Sequence, residues 1–177
     1  LLPLLTVLAA RERRTGPALL ALACAALALQ PDAAMLAGLG AASAVLAWLQ
    51  RSAAFGLVAA AGLGLAVVTF GAGTLEPQVF TEYVLAQVAE QSLAQATVLA
   101  LLLFAAPVWY LVVDPQMDRA EGYALAALLL ALSVMASLAP FPYPLIGYGA
   151  APILGFELAL GATTRKTGHS ARNLPTS

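Results

Sequence analysis

Long apolar runs separated by short polar gaps dominate this 177-residue chain and constrain its fold more than any other feature. Apolar residues make up 62% of the sequence, whereas charged residues make up only 10%. A bilayer core is crossed by α-helices of about 17–25 predominantly apolar residues, because backbone polar groups in lipid need partners within their own helix. The composition therefore excludes an ordinary soluble domain and predicts an all-α, polytopic membrane bundle.

Six apolar runs are expected to cross the membrane completely, and a seventh only in part. The full spans are predicted at residues 17–30, 33–49, 53–70, 92–113, 123–139 and 145–162. The run at residues 1–10 is too short to cross, so we expect it to be the end of a helix whose start precedes the chain. Residues 1–162 then form the bundle, and residues 163–177 form a polar tail that is expected to be disordered.

The basic residues occupy every second gap between the apolar runs. They are Arg11, Arg13, Arg14, Arg51, Arg119, Arg165, Lys166 and Arg172. The alternate gaps carry Asp32, then Glu76, Glu82 and Glu90, and finally only Pro, Phe and Tyr residues. Because basic residues are retained on the cytoplasmic side during insertion, this split predicts an inner-membrane protein with a cytoplasmic C-terminus and external carboxylates.

Several function classes are excluded by composition. A formal net charge of −1 offers no basic stripe for nucleic acid. Cys24 is the lone cysteine and lies in an apolar run, so there is no disulfide framework. His169 is the only histidine and belongs to the polar tail, which excludes a histidine-ligated haem or metal cluster within the membrane for this chain alone.

The pattern from residue 81 to residue 113 predicts one long helix. Thr81 is suited to be its N-cap, and Glu82 lies in the first turn, where the helix dipole favours a negative charge. The first three turns are polar enough to stand outside the hydrocarbon core, and the remainder spans inward. Pro107 predicts a kink in that span, because proline removes a backbone donor.

The external carboxylates are candidate general bases, since no cation lies near them in the sequence. Structural roles stay open for each of them. Asp32 is suited to cap a turn between two spans, and Glu76 and Glu90 are suited to a solvated loop or helix face. Glu82 is equally suited to an ordinary first turn.

Two further signals concern the last span. Residues 142–152 combine prolines with Gly147 and Gly149, which breaks regular helix; such backbone at membrane depth must be buried in protein or face a wet cavity. A packing role is the alternative. Glu157 is the one carboxylate well inside a span, where it is either a proton carrier or a group that reaches the interface or a neighbouring helix.

Four segments in chain order resemble the SEDS family of cell-wall glycan polymerases. They are Leu-Gln-Pro-Asp at residues 29–32, Leu-Glu-Pro at 75–77 with Thr-Glu-Tyr at 81–83 and Ala-Gln-Val-Ala-Glu at 86–90, Pro-Leu-Ile-Gly-Tyr-Gly at 144–149, and the basic tail. The chain is similar to the C-terminal two-thirds of that family. The sidedness inferred from the charges agrees with the family's sidedness at every loop.

The resemblance implies that the chain polymerises lipid II, a polyprenyl-diphosphate-linked disaccharide, outside the membrane. Glu82 stands at the position of the family's essential aspartate and would be the general base. The resemblance also implies substrate-binding roles for Asp32, Glu76, Glu90, Tyr148 and Gly149. Membrane lipids and a single-span transpeptidase are the implied partners.

Departures from the family pattern leave other functions open. No Lys or Arg is predicted outside, so the substrate diphosphate would meet carboxylates unless a divalent cation, Mg²⁺ or Mn²⁺, bridges them. A non-catalytic structural or regulatory subunit of a membrane complex is therefore the first alternative. A transporter that uses Glu157 is the second, although no other intramembrane charge and no inverted repeat accompany that residue.

Overall fold

The described part of the chain is helical throughout, apart from short connections, and contains no β-strand. A computed structural model describes residues 1–30, 32–70, 84–115, 117–138 and 150–170. The expectation of an all-α fold is confirmed for these residues. Their apolar helices are compatible with a membrane protein.

Nine α-helices and one π-helical turn follow one another in the described residues. They are α1 (Leu2–Arg11), α2 (Gly16–Leu29), α3 (Ala33–Gln50), α4 (Ala53–Thr69), α5 (Val84–Gln91), α6 (Leu93–Ala100), the π turn (Leu101–Ala105), α7 (Ala106–Val113), α8 (Arg119–Leu138) and α9 (Ala150–Ser170).

Three helical segments of the described chain are long and apolar enough to cross a membrane. They are Ala33–Gln50, Leu93–Val113 and Arg119–Leu138, and each matches a predicted span. Shorter apolar helices lie at Leu2–Arg11, Gly16–Leu29, Ala53–Thr69 and Ile153–Thr163. Length and composition thus support three of the six predicted full spans directly.

The long helix predicted for residues 81–113 is divided, and Thr81 lies outside the described residues. Ser92 is extended, with φ −159° and ψ 113°, and its hydroxyl accepts a hydrogen bond from the Gln95 amide at 3.4 Å. Serine favours this cap because its side chain replaces the missing helical partner. The prediction of one uninterrupted helix was therefore wrong at Ser92.

Pro107 is preceded by the π turn. The amide of Ala106 donates to the carbonyl of Leu101, five residues earlier. A wide turn of this kind accommodates a local break in the regular hydrogen-bond ladder, which proline favours because it has no amide hydrogen. The irregularity predicted at Pro107 thus takes the form of a π turn immediately before it.

The C-terminal helix extends further than the sequence predicted. Residues 163–170 continue α9, although the polar tail was expected to be disordered from residue 163. Elongating an existing helix by one residue is much easier than nucleating a new one, so polar residues continue the last span readily.

Helix α3 is central to the bundle and packs along both α4 and α8. A Cβ atom added to Gly40 of α3 would lie 2.7 Å from Cγ and 2.9 Å from the backbone N of Leu63 in α4. A Cβ atom on Gly62 would lie 3.1 Å from Cα of Gly40. The two backbones therefore touch through glycines, which is how small residues let membrane helices approach closely.

Close contacts and a tight turn place the ends of several helices at one end of the bundle. Arg51 ends α3 in the left-handed conformation, with φ 51° and ψ 45°, and its amide donates to the carbonyl of Ala47. Between α7 and α8, Gly122 lies against the carbonyl of Leu111, where a Cβ atom would overlap it. The end of α3, the end of α7 and the start of α8 consequently share one end of the bundle with Arg11 of α1.

Candidate functional site

A buried ion pair joins α1, α8 and α9 at this end of the bundle. Arg11 donates from Nε to Oε1 of Glu121 at 2.7 Å and from Nη2 to Oε2 at 3.3 Å. Its Nη2 also donates to the carbonyl of Ala162 in α9 at 3.0 Å. One guanidinium thus holds three helices together, and its two bonds to the carboxylate fix their relative orientation.

Burial and hydrogen bonding act together on this pair. The side chains of Arg11 and Glu121 are 22% and 3% exposed, so each charge is largely removed from water. The hydrogen bond that Arg11 donates to Glu121 raises the pKa of the Arg11 guanidinium, burial acts in the opposite direction, and the charges of Glu121 and Asp118 add to the rise. Buried charges persist only when paired and hydrogen-bonded, as here.

Gln50 connects the end of α3 to the same cluster. Its Nε2 donates to the carbonyl of Ala10 at 2.8 Å. Ala10 lies in the last turn of α1, where backbone carbonyls lack a partner within the helix. The Oε1 atom of Gln50 is buried and has no hydrogen-bond partner among the described residues.

A polar cavity of about 330 Å³ lies between α1, α3 and α8 beside these groups. Its lining consists of Ala10, Arg11, Arg13, Leu49, Gln50, Asp118, Arg119, Ala120 and Glu121. Arg13 and Arg119 are exposed, in contrast to the buried Glu121. The arrangement therefore places two exposed guanidinium groups at the rim of the cavity.

Of the carboxylates predicted to face outward, the described residues include Asp32 and Glu90. Asp32 is half-buried at the start of α3, where its Oδ1 accepts a hydrogen bond from the Met35 amide at 3.0 Å. Asp32 is therefore the N-cap of α3, in agreement with the structural role considered for it from the sequence.

The remaining predicted site residues are not brought together within the described part. Glu90 is exposed on α5, which joins α6 at the end of the bundle away from Glu121. Glu76, Glu82, Tyr148 and Gly149 lie outside the described residues. Within the residues that the structure describes, no group of three or more His, Cys, Asp or Glu residues could hold a metal ion.

Glu157 is exposed on α9, five residues before Ala162 and therefore about 7.5 Å from it along the helix. Its side chain does not enter the interior of the described bundle. A proton carrier would be expected to face the bundle interior or a wet cavity, so the geometry lends the transporter interpretation no support.

The sequence did not predict the cluster formed by Arg11, Gln50 and Glu121. Glu121 belongs to the gap between the predicted spans 92–113 and 123–139, and Arg11 served only as a sign of orientation. The available signal was the presence of opposite charges at the ends of two runs predicted on the same side. Gln50 carried a weaker signal, as the polar residue that directly follows the apolar run at residues 33–49.

Comparisons of the chain with protein-family models, with curated proteins and with solved structures find no match. The functional conclusion therefore depends on the residues themselves.

Proposed function

We propose that this chain is the helical membrane portion of a SEDS-type glycan polymerase in the bacterial inner membrane, with six full spans and a cytoplasmic C-terminus. The observation that carries the proposal is the occurrence of four family-like segments in the family's order, at residues 29–32, 75–90, 144–149 and the basic tail. The helix ends add support, because those predicted on the cytoplasmic side meet around Arg11, Gln50 and Glu121.

In the proposed reaction, the carboxylate of Glu82 accepts the proton of a sugar hydroxyl. The hydroxyl oxygen then forms a bond to the anomeric carbon of the growing strand, the bond from that carbon to the diphosphate breaks, and the diphosphate lipid leaves with inversion. A general base typically contributes a rate factor of about 10²–10⁴. Asp32, Glu76, Glu90, Tyr148 and Gly149 would bind the lipid II-type substrate.

A divalent cation fits the chemistry of the proposed donor set. Carboxylate oxygens are the ligands that Mg²⁺ and Mn²⁺ prefer, and Asp32, Glu76 and Glu82 would supply them. The ion would neutralise the substrate diphosphate, for which the external segments offer no Lys or Arg. A single-span transpeptidase is the proposed protein partner, because glycan strands must be cross-linked once made.

The test is lipid II polymerisation in proteoliposomes with Mg²⁺ or Mn²⁺, comparing the parent with Glu82→Gln. Glu12→Gln is the matched control, because it makes the same chemical change at an exposed position on the predicted cytoplasmic side. We expect strands from the parent and the control, and a loss of at least about 10²-fold in rate for Glu82→Gln. Equal rates for all three proteins would remove Glu82 from the mechanism.

A second function, that of a non-catalytic structural subunit, is favoured by the role of Asp32. Its carboxylate oxygen is engaged in capping α3, which asparagine would do equally well. This function predicts that Asp32→Asn is tolerated in cells, whereas bulky replacements of Gly147 or Gly149 are not. Absence of glycan product from a folded parent protein would favour it over the polymerase.

A further inference from the structure

The cavity between α1, α3 and α8 has the charge of an anion-binding site. Arg11 is engaged by Glu121, so the ligand-facing charges are Arg13 and Arg119 against Asp118. Asp118 is itself occupied in part, since its Oδ1 accepts from the Ala120 amide at 2.9 Å. A net positive, arginine-rimmed cavity of about 330 Å³ is large enough for a small polar headgroup.

Exposed aromatic side chains place this cavity at the level of the lipid headgroups. Trp48 lies two residues before Gln50 and is 76% exposed, and Trp109 lies one turn before the end of α7 and is 70% exposed. Tyr110 and Tyr123 are exposed beside them, on α7 and near the start of α8. Both tryptophans of the chain thus lie at this end, and such residues concentrate where a membrane meets water.

We propose that this cavity binds the headgroup of an anionic phospholipid such as phosphatidylglycerol. The lipid phosphate accepts hydrogen bonds from Arg13 and Arg119. Basic pockets between membrane helices on the cytoplasmic side are suited to anionic headgroups. The inference requires a membrane location and the predicted sidedness, but not the glycan polymerase.

The test measures thermal unfolding of the full chain in neutral detergent during titration with short-chain lipids. Phosphatidylglycerol is compared with phosphatidylcholine, with phosphatidylmethanol, which is anionic without the headgroup hydroxyl, and with glycerol 3-phosphate, which has no acyl chains. Arg13→Gln and Arg119→Gln remove the rim cations at exposed positions. Arg14→Gln is the matched control, because Arg14 lies beside Arg13 in the connection between α1 and α2, is equally classed as exposed, and does not line the cavity.

We expect saturable stabilisation by phosphatidylglycerol and none by phosphatidylcholine. Arg13→Gln and Arg119→Gln should each raise the apparent Kd about tenfold, whereas Arg14→Gln should leave it unchanged. Three results would overturn the proposal: equal stabilisation by phosphatidylcholine, equal loss in Arg14→Gln, or equal binding of glycerol 3-phosphate, which would indicate a site for free phosphate. Phosphatidylmethanol should bind as tightly as phosphatidylglycerol, because the phosphate of each lipid carries the same single negative charge.

Discussion

Glu121 illustrates how a single residue organises this molecule. Its carboxylate is almost fully buried, yet it receives two hydrogen bonds from Arg11, which also reaches the backbone of α9. Removing one partner of such a pair leaves the other charge buried and unpaired, and the desolvation penalty of that charge is then uncompensated. Removing one partner is therefore expected to lower the free energy of unfolding more than replacing both partners with apolar residues.

Glu121→Gln should lower the free energy of unfolding by about 3 kcal/mol, measured by denaturation in detergent micelles. The double replacement of Arg11 by Met and Glu121 by Leu should recover most of this loss, because no buried charge remains. Glu12→Gln, at an exposed position, should change stability by less than about 0.5 kcal/mol. A Glu121→Gln protein as stable as the parent would show that the pair is not buried in solution.

Residue-level prediction from the sequence succeeded where local chemistry decides the role and failed where tertiary contacts do. Asp32 was recognised as a possible turn cap because capping needs only its own helix. The partnership of Arg11 with Glu121 spans most of the chain, and no local pattern specifies which distant helix ends meet. The role of Glu82 stays a prediction.

At the scale of elements, the contact between α3 and α4 depends on the absence of side chains. Lipid is as apolar as leucine, so membrane helices gain little from burying apolar surface against each other and rely on close packing instead. Gly40 and Gly62 permit that packing where the backbones meet. The only local sign of it in the sequence is that residues 33–70 are rich in Ala and Gly.

Gly40→Ala should destabilise the bundle, because its new methyl group would meet the backbone N of Leu63 at 2.9 Å. We expect a loss of about 1–3 kcal/mol in the free energy of unfolding. Gly64→Ala makes the same change in α4 at a position with nothing within 4 Å, and should be neutral or stabilising by up to about 1 kcal/mol. Equal effects of the two replacements would exclude a close contact between α3 and α4.

Element boundaries were less predictable than element type. Apolar composition indicates helix throughout residues 92–113, but it does not reveal that Ser92 caps a new helix or that a π turn precedes Pro107. These interruptions arise from competition for single backbone hydrogen bonds. Their energies are small compared with the drive to form helix in lipid, so the overall pattern hides them.

At the scale of the whole molecule, the most informative sequence feature is the presence of basic residues in every second gap between the apolar runs. The ends it assigns to one side meet in the structure through Arg11, Gln50 and Glu121. The number of complete spans is harder to predict, because helices such as Gly16–Leu29 are about 21 Å long whereas a bilayer core is about 30 Å thick. Local thinning of the bilayer, the reach of flanking side chains to the interface and neighbouring helices decide how such short elements are accommodated.

The proposed function and the proposed lipid site both require the predicted sidedness, which single-cysteine labelling measures directly. Cys24 is the only native cysteine, so Cys24→Ala gives a cysteine-free background for Gln30→Cys, Gln91→Cys, Glu12→Cys and Ser170→Cys. A membrane-impermeant maleimide should label positions 30 and 91 on intact spheroplasts, and positions 12 and 170 only after permeabilisation. Labelling of position 12 on intact spheroplasts, or protection of position 30, would contradict the predicted orientation of the chain.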